Sequence, residues 1–207
     1  ILNALKDKRR PIRDYFIQTF SQVINVLSSI ITVVIISNLL GAEVKGQVTI
    51  FLIIISYFQV FGSIGLPGSA LYFTAKDLNS RIFNSNLVPY LLTLSLIFGL
   101  ITSLIFIICT RFYFDNFFLD LNFVFLTSVG MPIIIFSIFN VISQHILIGS
   151  KKFFYQLVCS SSTPLIFAIL ISIFYSITLS FQLIIIFHLI SYFISSILCI
   201  LFLYKSK

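Results

Sequence analysis

Charged residues are scarce in this sequence. Lys and Arg number 13 and Asp and Glu number 6, so charged residues make up 9% of the 207 positions, whereas hydrophobic residues make up 59%. Soluble domains average about 25% charged residues. Helices so rich in Phe, Ile and Leu are apolar on nearly every face, and a soluble core of this size could not bury them. The composition excludes a water-soluble domain and predicts an all-α membrane protein.

Cysteine is also rare and follows no recognisable pattern. Cys109, Cys159 and Cys199 each lie in an apolar stretch, where a thiol behaves as a small hydrophobic group. Their number is odd and their spacing fits no metal site, so we expect no disulfide, no metal site and no cofactor. The net charge of +7 does not indicate nucleic acid, because the basic residues fall between hydrophobic runs. Membrane lipids are the simpler partner.

Charged positions divide the chain into uncharged runs, to be compared with the ~20 residues that a helix needs to cross a bilayer. The last run, 153–204, would reach about 78 Å as one helix and must fold into two crossings. Six transmembrane helices are predicted, at about 15–40, 47–72, 87–110, 122–148, 157–177 and 182–204. Residues 1–14 and 205–207 flank this 15–204 bundle. The chain begins at Ile1 rather than Met, so we expect a fragment of a longer protein.

The orientation follows from the basic residues, since Lys and Arg are retained on the cytoplasmic side. With the amino terminus inside, 11 basic residues fall in inside segments and 2, Lys45 and Arg111, fall outside. This bias predicts a multi-pass protein with both ends of the chain in the cytoplasm. The outer connections 41–46 and 111–120 are too short to form a catalytic domain.

The predicted spans contain no carboxylate. All six acidic residues lie at ends or in connections, at Asp7, Asp14, Glu43, Asp77, Asp115 and Asp120. Proton relays and cation sites within membranes usually depend on intramembrane Asp or Glu. The sequence also lacks HExxH and GxSxG motifs and paired carboxylates. We therefore expect a protein that is not an enzyme.

Uncharged polar side chains recur at helical spacing inside the spans. On predicted helix 1, five of them fall within an arc of about 80°. The cavity-lining candidates are Gln18, Gln22, Asn25, Ser29 and Thr32 on helix 1 and Ser56, Gln59 and Ser63 on helix 2. Predicted helix 4 adds Ser137, Asn140 and Gln144. Such residues either join helices by hydrogen bonds or line a water-filled cavity. Both interpretations stay open for helix 1, and hydrogen bonding is favoured for helices 2 and 4.

Two further features lie in the spans. Gly65, Pro67 and Gly68 should break or bend predicted helix 2, since Pro lacks the backbone donor and Gly relaxes the chain. His145 and His188 lie alone in predicted helices 4 and 6, with no carboxylate nearby in the sequence. A structural or interfacial role is favoured for both histidines.

Three stretches, in this order, resemble polysaccharide-export flippases of the Wzx type. Residues 37–47, SNLLGAEVKGQ, look like the loop after the family's first helix. Residues 61–75, FGSIGLPGSALYFTA, are similar to the end of its second helix, and residues 144–153, QHILIGSKKF, resemble the end of its fourth. The order, spacing and topology agree over nearly the whole chain. One departure is Tyr72, which stands where the family often has Arg.

The resemblance implies a member of the multidrug/oligosaccharidyl-lipid/polysaccharide exporter (MOP) superfamily, whose members have two six-helix lobes. This chain would be the amino-terminal lobe, and the carboxy-terminal lobe of the same chain its missing partner. Such proteins move undecaprenyl-diphosphate-linked oligosaccharide across the bacterial inner membrane by alternating access, for O-antigen and other surface polysaccharide biosynthesis. The implied partners are lipid-linked oligosaccharide and membrane lipids, and no nucleic acid.

A diphosphate headgroup requires cations at the cytoplasmic mouth. The candidates are Arg13, Lys76 and Arg81, with Arg13 favoured because a planar guanidinium can donate two hydrogen bonds to phosphate at once. The alternative for all three is that they anchor helices. Two other functions stay open, a small-molecule exporter of the same superfamily and a membrane enzyme such as an oligosaccharide polymerase. The first would need a carboxylate to bind a cation, and the second a long outer loop.

Overall fold

The computed structural model describes residues 2–79, 87–113, 123–174 and 180–205, and for residues 2–14, 39–44, 78–79 and 113 it describes the backbone alone. Regular structure in these residues is α-helical throughout. The helices are α1 (Leu2–Gly62), α2 (Leu66–Asn79), α3 (Leu87–Tyr113), α4 (Phe123–Gly149), α5 (Phe153–Ile173) and α6 (Phe181–Lys205). The predicted all-α class is confirmed.

Six helical segments are long and apolar enough to cross a bilayer, which confirms the expected membrane bundle. They are Tyr15–Asn38, Lys45–Gly62, Leu87–Phe112, Phe123–Gly149, Phe153–Ile173 and Phe181–Lys205. Their outer faces are apolar, with Val26, Ile30 and Ile105 among the exposed side chains. Lipid tails are as apolar as these side chains and can cover them.

Two of the six segments lie within α1, and we refer to them as α1a (Tyr15–Asn38) and α1b (Lys45–Gly62). Asn25 of α1a and Gln59 of α1b line the same cavity, which has a volume of about 420 Å³. In a straight helix these two residues, 34 positions apart, would be separated by about 51 Å. A cavity of that volume among packed helices cannot extend so far. α1 is therefore not straight but bends between α1a and α1b, so that both candidate spans lie beside the same cavity.

The chain breaks again after α1b. A turn over residues 63–65 separates Gly62 from α2, and Gly65 adopts a φ of +77°, in the left-handed region that favours glycine. Pro67 follows in the first turn of α2, where the backbone N–H groups have no partner within the helix. The break that the sequence predicted here is confirmed, and it divides the predicted helix 47–72 between α1b and α2.

Helix α4 lies at the centre of the bundle and packs against all five of the other helices. Ile133, Ile134 and Ile138 on α4 are fully buried. Small residues allow close approach, since Gly130 of α4 has no side chain where the ring of Phe106 from α3 packs. Because α4 is surrounded, a space beside it is enclosed by several helices at once.

Basic side chains in the described residues separate to the two ends of the bundle. Thr74 of α2 packs against Gly149 at the end of α4, and the rings of Tyr155 and Phe202 stack at 4.9 Å. The end of α2, the α4–α5 turn and the end of α6 therefore lie together. This lysine-rich end carries Lys76, Lys151, Lys152 and Lys205. Arg111 lies at the opposite end, where its guanidinium group is over the ring of Phe123, the first residue of α4. The positive-inside rule predicts that the lysine-rich end faces the cytoplasm.

Candidate functional site

A cavity of about 420 Å³ lies among α1a, α1b, α4, α5 and α6, within the membrane-crossing part of the bundle. Its volume is in the range of about 300–1,000 Å³ that is typical of small-molecule sites. The residues that line it are Asn25, Ser29, Thr32, Val33, Leu52, Gln59, Ser137, Asn140, Val141, Gln144, Ser160, Thr163, Pro164, Phe167, His188 and Tyr192.

The cavity is uncharged, and its mainly apolar lining is interrupted by carboxamide and hydroxyl groups. Among the described residues that line it, none is Asp, Glu, Lys or Arg, whereas four carry carboxamides: Asn25, Gln59, Asn140 and Gln144. A carboxamide both donates and accepts hydrogen bonds. Because an ion at this depth would need a counter-charge, the lining suits water or an uncharged guest rich in hydroxyl groups.

The structure brings together half of the candidates predicted from the sequence. Asn25, Ser29 and Thr32 of α1a meet Gln59 of α1b at the cavity. The residues that do not line it are Gln18, Gln22, Ser56 and Ser63. Ser56 and Ser63 donate to backbone carbonyls of their own helix, to Leu52 O at 2.7 Å and Val60 O at 3.2 Å. A hydroxyl satisfied in this way needs neither a cavity nor a partner helix.

The sequence did not predict that α1a packs against α5 through polar side chains. The Ser21 hydroxyl lies 2.6 Å from that of Ser160, and Ser28 and Thr32 are also buried. Thr32 also lines the cavity. The described hydrogen bond from α1a to α5 is therefore made beside the helix 1 stripe, by Ser21, whereas Asn25, Ser29 and Thr32 of the stripe line the cavity.

Asn140 makes hydrogen bonds that connect α4 to α6. Its Nδ2 donates to Tyr192 O at 3.4 Å, and its Oδ1 accepts from Ser195 Oγ at 3.5 Å and Cys199 Sγ at 3.3 Å. Ser162 of α5 extends the network by donating to Ser195 Oγ at 2.8 Å. The interhelical role favoured for this residue is confirmed, and the network fixes one wall of the cavity.

His188 is a lining residue that the sequence analysis assigned to a structural or interfacial role. Its ring packs against Phe167 of α5 and Tyr192 of α6, and all three line the cavity. The available signal was the helical spacing of polar residues along α6, where Ser191, Tyr192 and Ser195 lie three, four and seven residues after His188. His145 instead lies 2.7 Å from Val141 O through Nδ1 and does not line the cavity.

Lys76, the one cation candidate whose side chain the structure describes, does not line the cavity. Lys76 is exposed at the lysine-rich end, and its Nζ lies 5.9 Å from the centre of the Tyr72 ring. For Arg13 the structure describes only helical backbone, and Arg81 lies outside the described residues. Lys151 and Lys152, which the sequence analysis used only to predict the orientation, also lie at this end. Lys151 is in the α4–α5 turn and has a φ of 57°. Burial lowers the pKa of the Lys152 ammonium.

Comparison of the chain with models of known protein families, with curated proteins and with solved structures finds no match. The chemistry of the cavity and the distribution of charge along the bundle are therefore the observations from which function is inferred.

Proposed function

We propose that this chain is the amino-terminal lobe of a Wzx-type flippase of the MOP superfamily. The protein moves undecaprenyl-diphosphate-linked oligosaccharide from the inner to the outer leaflet of the bacterial inner membrane by alternating access, for surface polysaccharide biosynthesis. The observation that carries the proposal is the uncharged cavity within the membrane-crossing helices, whose mainly apolar lining includes four carboxamides. An oligosaccharide presents many hydroxyl groups, and it needs donors and acceptors without a fixed charge once it leaves water.

The lining residues favour this substrate over those of the alternatives. An exporter of cationic drugs would require a carboxylate, and the lining residues include none. A polymerase or other enzyme would require a positioned acid or base. His188 lines the cavity, but no lining carboxylate is available to orient it.

The diphosphate requires a second, cationic region at the cytoplasmic surface. Lys76 is exposed at the lysine-rich end and can contact a phosphate as a point charge. Arg13 and Arg81 remain part of the proposal as headgroup ligands. In this arrangement the headgroup enters at the lysine-rich end while the sugars occupy the polar interior and the lipid tail stays in the bilayer.

The proposal is tested by glycan export in cells that depend on the full-length protein. Replacing two lining carboxamides, Asn25→Leu with Gln59→Leu, should reduce surface glycan at least about tenfold, which corresponds to about 1.4 kcal/mol. Ser56→Ala is the matched control, because Ser56 lies on α1b outside the cavity. Export equal to wild type in the double variant, at matched protein level, would contradict the proposal.

A further inference from the structure

The cavity wall formed by α5 and α6 is aromatic. The His188 ring lies 4.8 Å from the Phe167 ring and 5.0 Å from the Tyr192 ring between centroids, and it meets them at 71° and 86°. The other helices around the cavity contribute carboxamides, among them Asn25 and Gln59. The cavity therefore combines an apolar ring surface with groups that donate and accept hydrogen bonds.

Two buried polar atoms at this cavity have no hydrogen-bond partner among the described residues. They are Oδ1 of Asn25 and Nδ1 of His188, on α1a and α6. An unpaired buried polar atom is unfavourable. Neighbouring atoms cover both, so a guest in the cavity reaches them only when the amide or the imidazole rotates.

We propose that this cavity binds one monosaccharide unit of the transported glycan. The apolar face of the sugar ring packs on the exposed part of the Tyr192 ring, which the buried Phe167 supports through His188, and its hydroxyl groups bond to Asn25, Gln59 and His188. A pyranose has both an apolar face and a polar edge, which is the combination that the lining offers. The inference deepens the proposed function and rests on it for the substrate class.

A quaternary ammonium group and water are the two other occupants to be distinguished from a sugar. A quaternary ammonium group also binds aromatic clusters, but the described lining includes no carboxylate to balance its charge at membrane depth. Water alone would satisfy the polar atoms but would make no apolar contact with the exposed part of the Tyr192 ring. The test therefore compares neutral sugars with a cation.

The sequence contains no Trp, so one introduced Trp reports on the cavity. Phe167→Trp in the full-length protein, with any Trp outside this sequence replaced by Phe, is titrated with N-acetylglucosamine, galactose, mannose and rhamnose, and with choline. At least one sugar should change the Trp emission saturably, and choline should not. Adding Asn25→Ala should weaken the binding of that sugar about tenfold, as expected for one lost hydrogen bond. Phe193→Trp, exposed on α6, is the matched control and should not respond.

Tyr192→Trp provides a second reporter should Phe167→Trp fail to fold. No saturable change with any of the four sugars in a folded reporter, or an equal change with choline, would overturn the inference. A full-length protein that flips lipid-linked glycan but shows no sugar binding in these reporters contradicts this inference alone. A protein that binds sugar but flips no lipid-linked glycan contradicts the proposed function alone.

Discussion

Hydroxyl and carboxamide side chains behave differently in this bundle. Ser29, Thr32 and Ser56 each donate to the backbone carbonyl four residues earlier, so their position alone does not indicate a cavity. A carboxamide has donors and acceptors that its own helix does not satisfy. The sequence periodicity predicted the face of α1a correctly for Asn25, but the choice between Asn25 and Gln18 depends on where α4, α5 and α6 pack. That information is not present in a single helix.

Cysteine labelling tests whether the cavity holds water. Asn25→Cys and Ser29→Cys should react with a small water-soluble thiol reagent, because a thiol reacts as the thiolate, which forms in a hydrated environment. Val26→Cys and Ile30→Cys are the matched controls, since both positions are exposed on the outer apolar face. Labelling is measured in intact membranes with Cys109 replaced by Ala. Equal protection at all four positions would indicate a dry interior in which the polar residues only join helices.

Removing the Asn140 carboxamide should destabilise the bundle. Asn140→Leu removes the hydrogen bonds with Tyr192 O and Cys199 Sγ, and at about 0.6 kcal/mol each in a membrane interior the loss is about 1 kcal/mol, because the Ser195 hydroxyl keeps Cys159 O as an acceptor at 3.2 Å. The measurement is the free energy of unfolding in mixed detergent. Ser137→Ala should change it far less, because the Ser137 hydroxyl donates to Ile134 O of its own helix. Equal effects of the two substitutions would show that the network does not hold α4 to α6.

Some helix ends can be predicted from the residue types in the sequence. Gly65 and Pro67 predicted the break after α1b, because one favours left-handed backbone and the other lacks a donor. The span positions followed from apolar length, since bilayer thickness fixes how many residues a crossing needs. The contact between α1a and α5 could not be predicted in the same way. It joins Ser21 to Ser160, 139 residues apart, and both lie in apolar stretches with no distinctive pattern.

Gly65 and Gly68 form a matched pair for testing the break. An added Cβ at either position meets no atom within 4 Å, so steric contact does not decide the outcome. Gly65→Ala should destabilise the protein by about 1 kcal/mol, because its φ is positive. Gly68→Ala should be neutral or stabilising by about 0.5–1 kcal/mol, because Gly68 is helical. Both are read from detergent unfolding, and a stabilising Gly65→Ala would contradict the assigned turn.

For the molecule as a whole, composition predicted the membrane class because 59% hydrophobic residues require a hydrophobic solvent. Charge along the chain predicted which connections share a side, and the structure groups Lys76, Lys151, Lys152 and Lys205 at one end. The location of the cavity could not be predicted, because five segments enclose it and α5 and α6 contribute residues such as Thr163 and His188. Its existence depends on how the helices are arranged, which a single sequence does not reveal.

Reporter fusions test the orientation. Fusions after Lys45, Lys76, Arg111, Lys151 and Ser180 should report outside, inside, outside, inside and outside in turn, because each pair of neighbours is separated by one crossing. The basic residues set the starting side. Two neighbouring fusions on the same side would contradict the six-span arrangement. The reverse alternation would place the lysine-rich end outside the cell and remove Lys76 from the cytoplasmic mouth.

We propose that the protein moves a lipid-linked glycan through an uncharged interior, and a flipping measurement in proteoliposomes is the decisive experiment. The full-length protein is reconstituted with undecaprenyl diphosphate carrying a fluorescent N-acetylglucosamine, and a membrane-impermeant reductant reports which leaflet holds the fluorophore. The account predicts transfer of the whole fluorescent pool with wild type and with Ser56→Ala, and at least about tenfold slower transfer when Asn25→Leu and Gln59→Leu are combined. Transfer no faster than in protein-free vesicles, or an unchanged rate in the double variant, would contradict it.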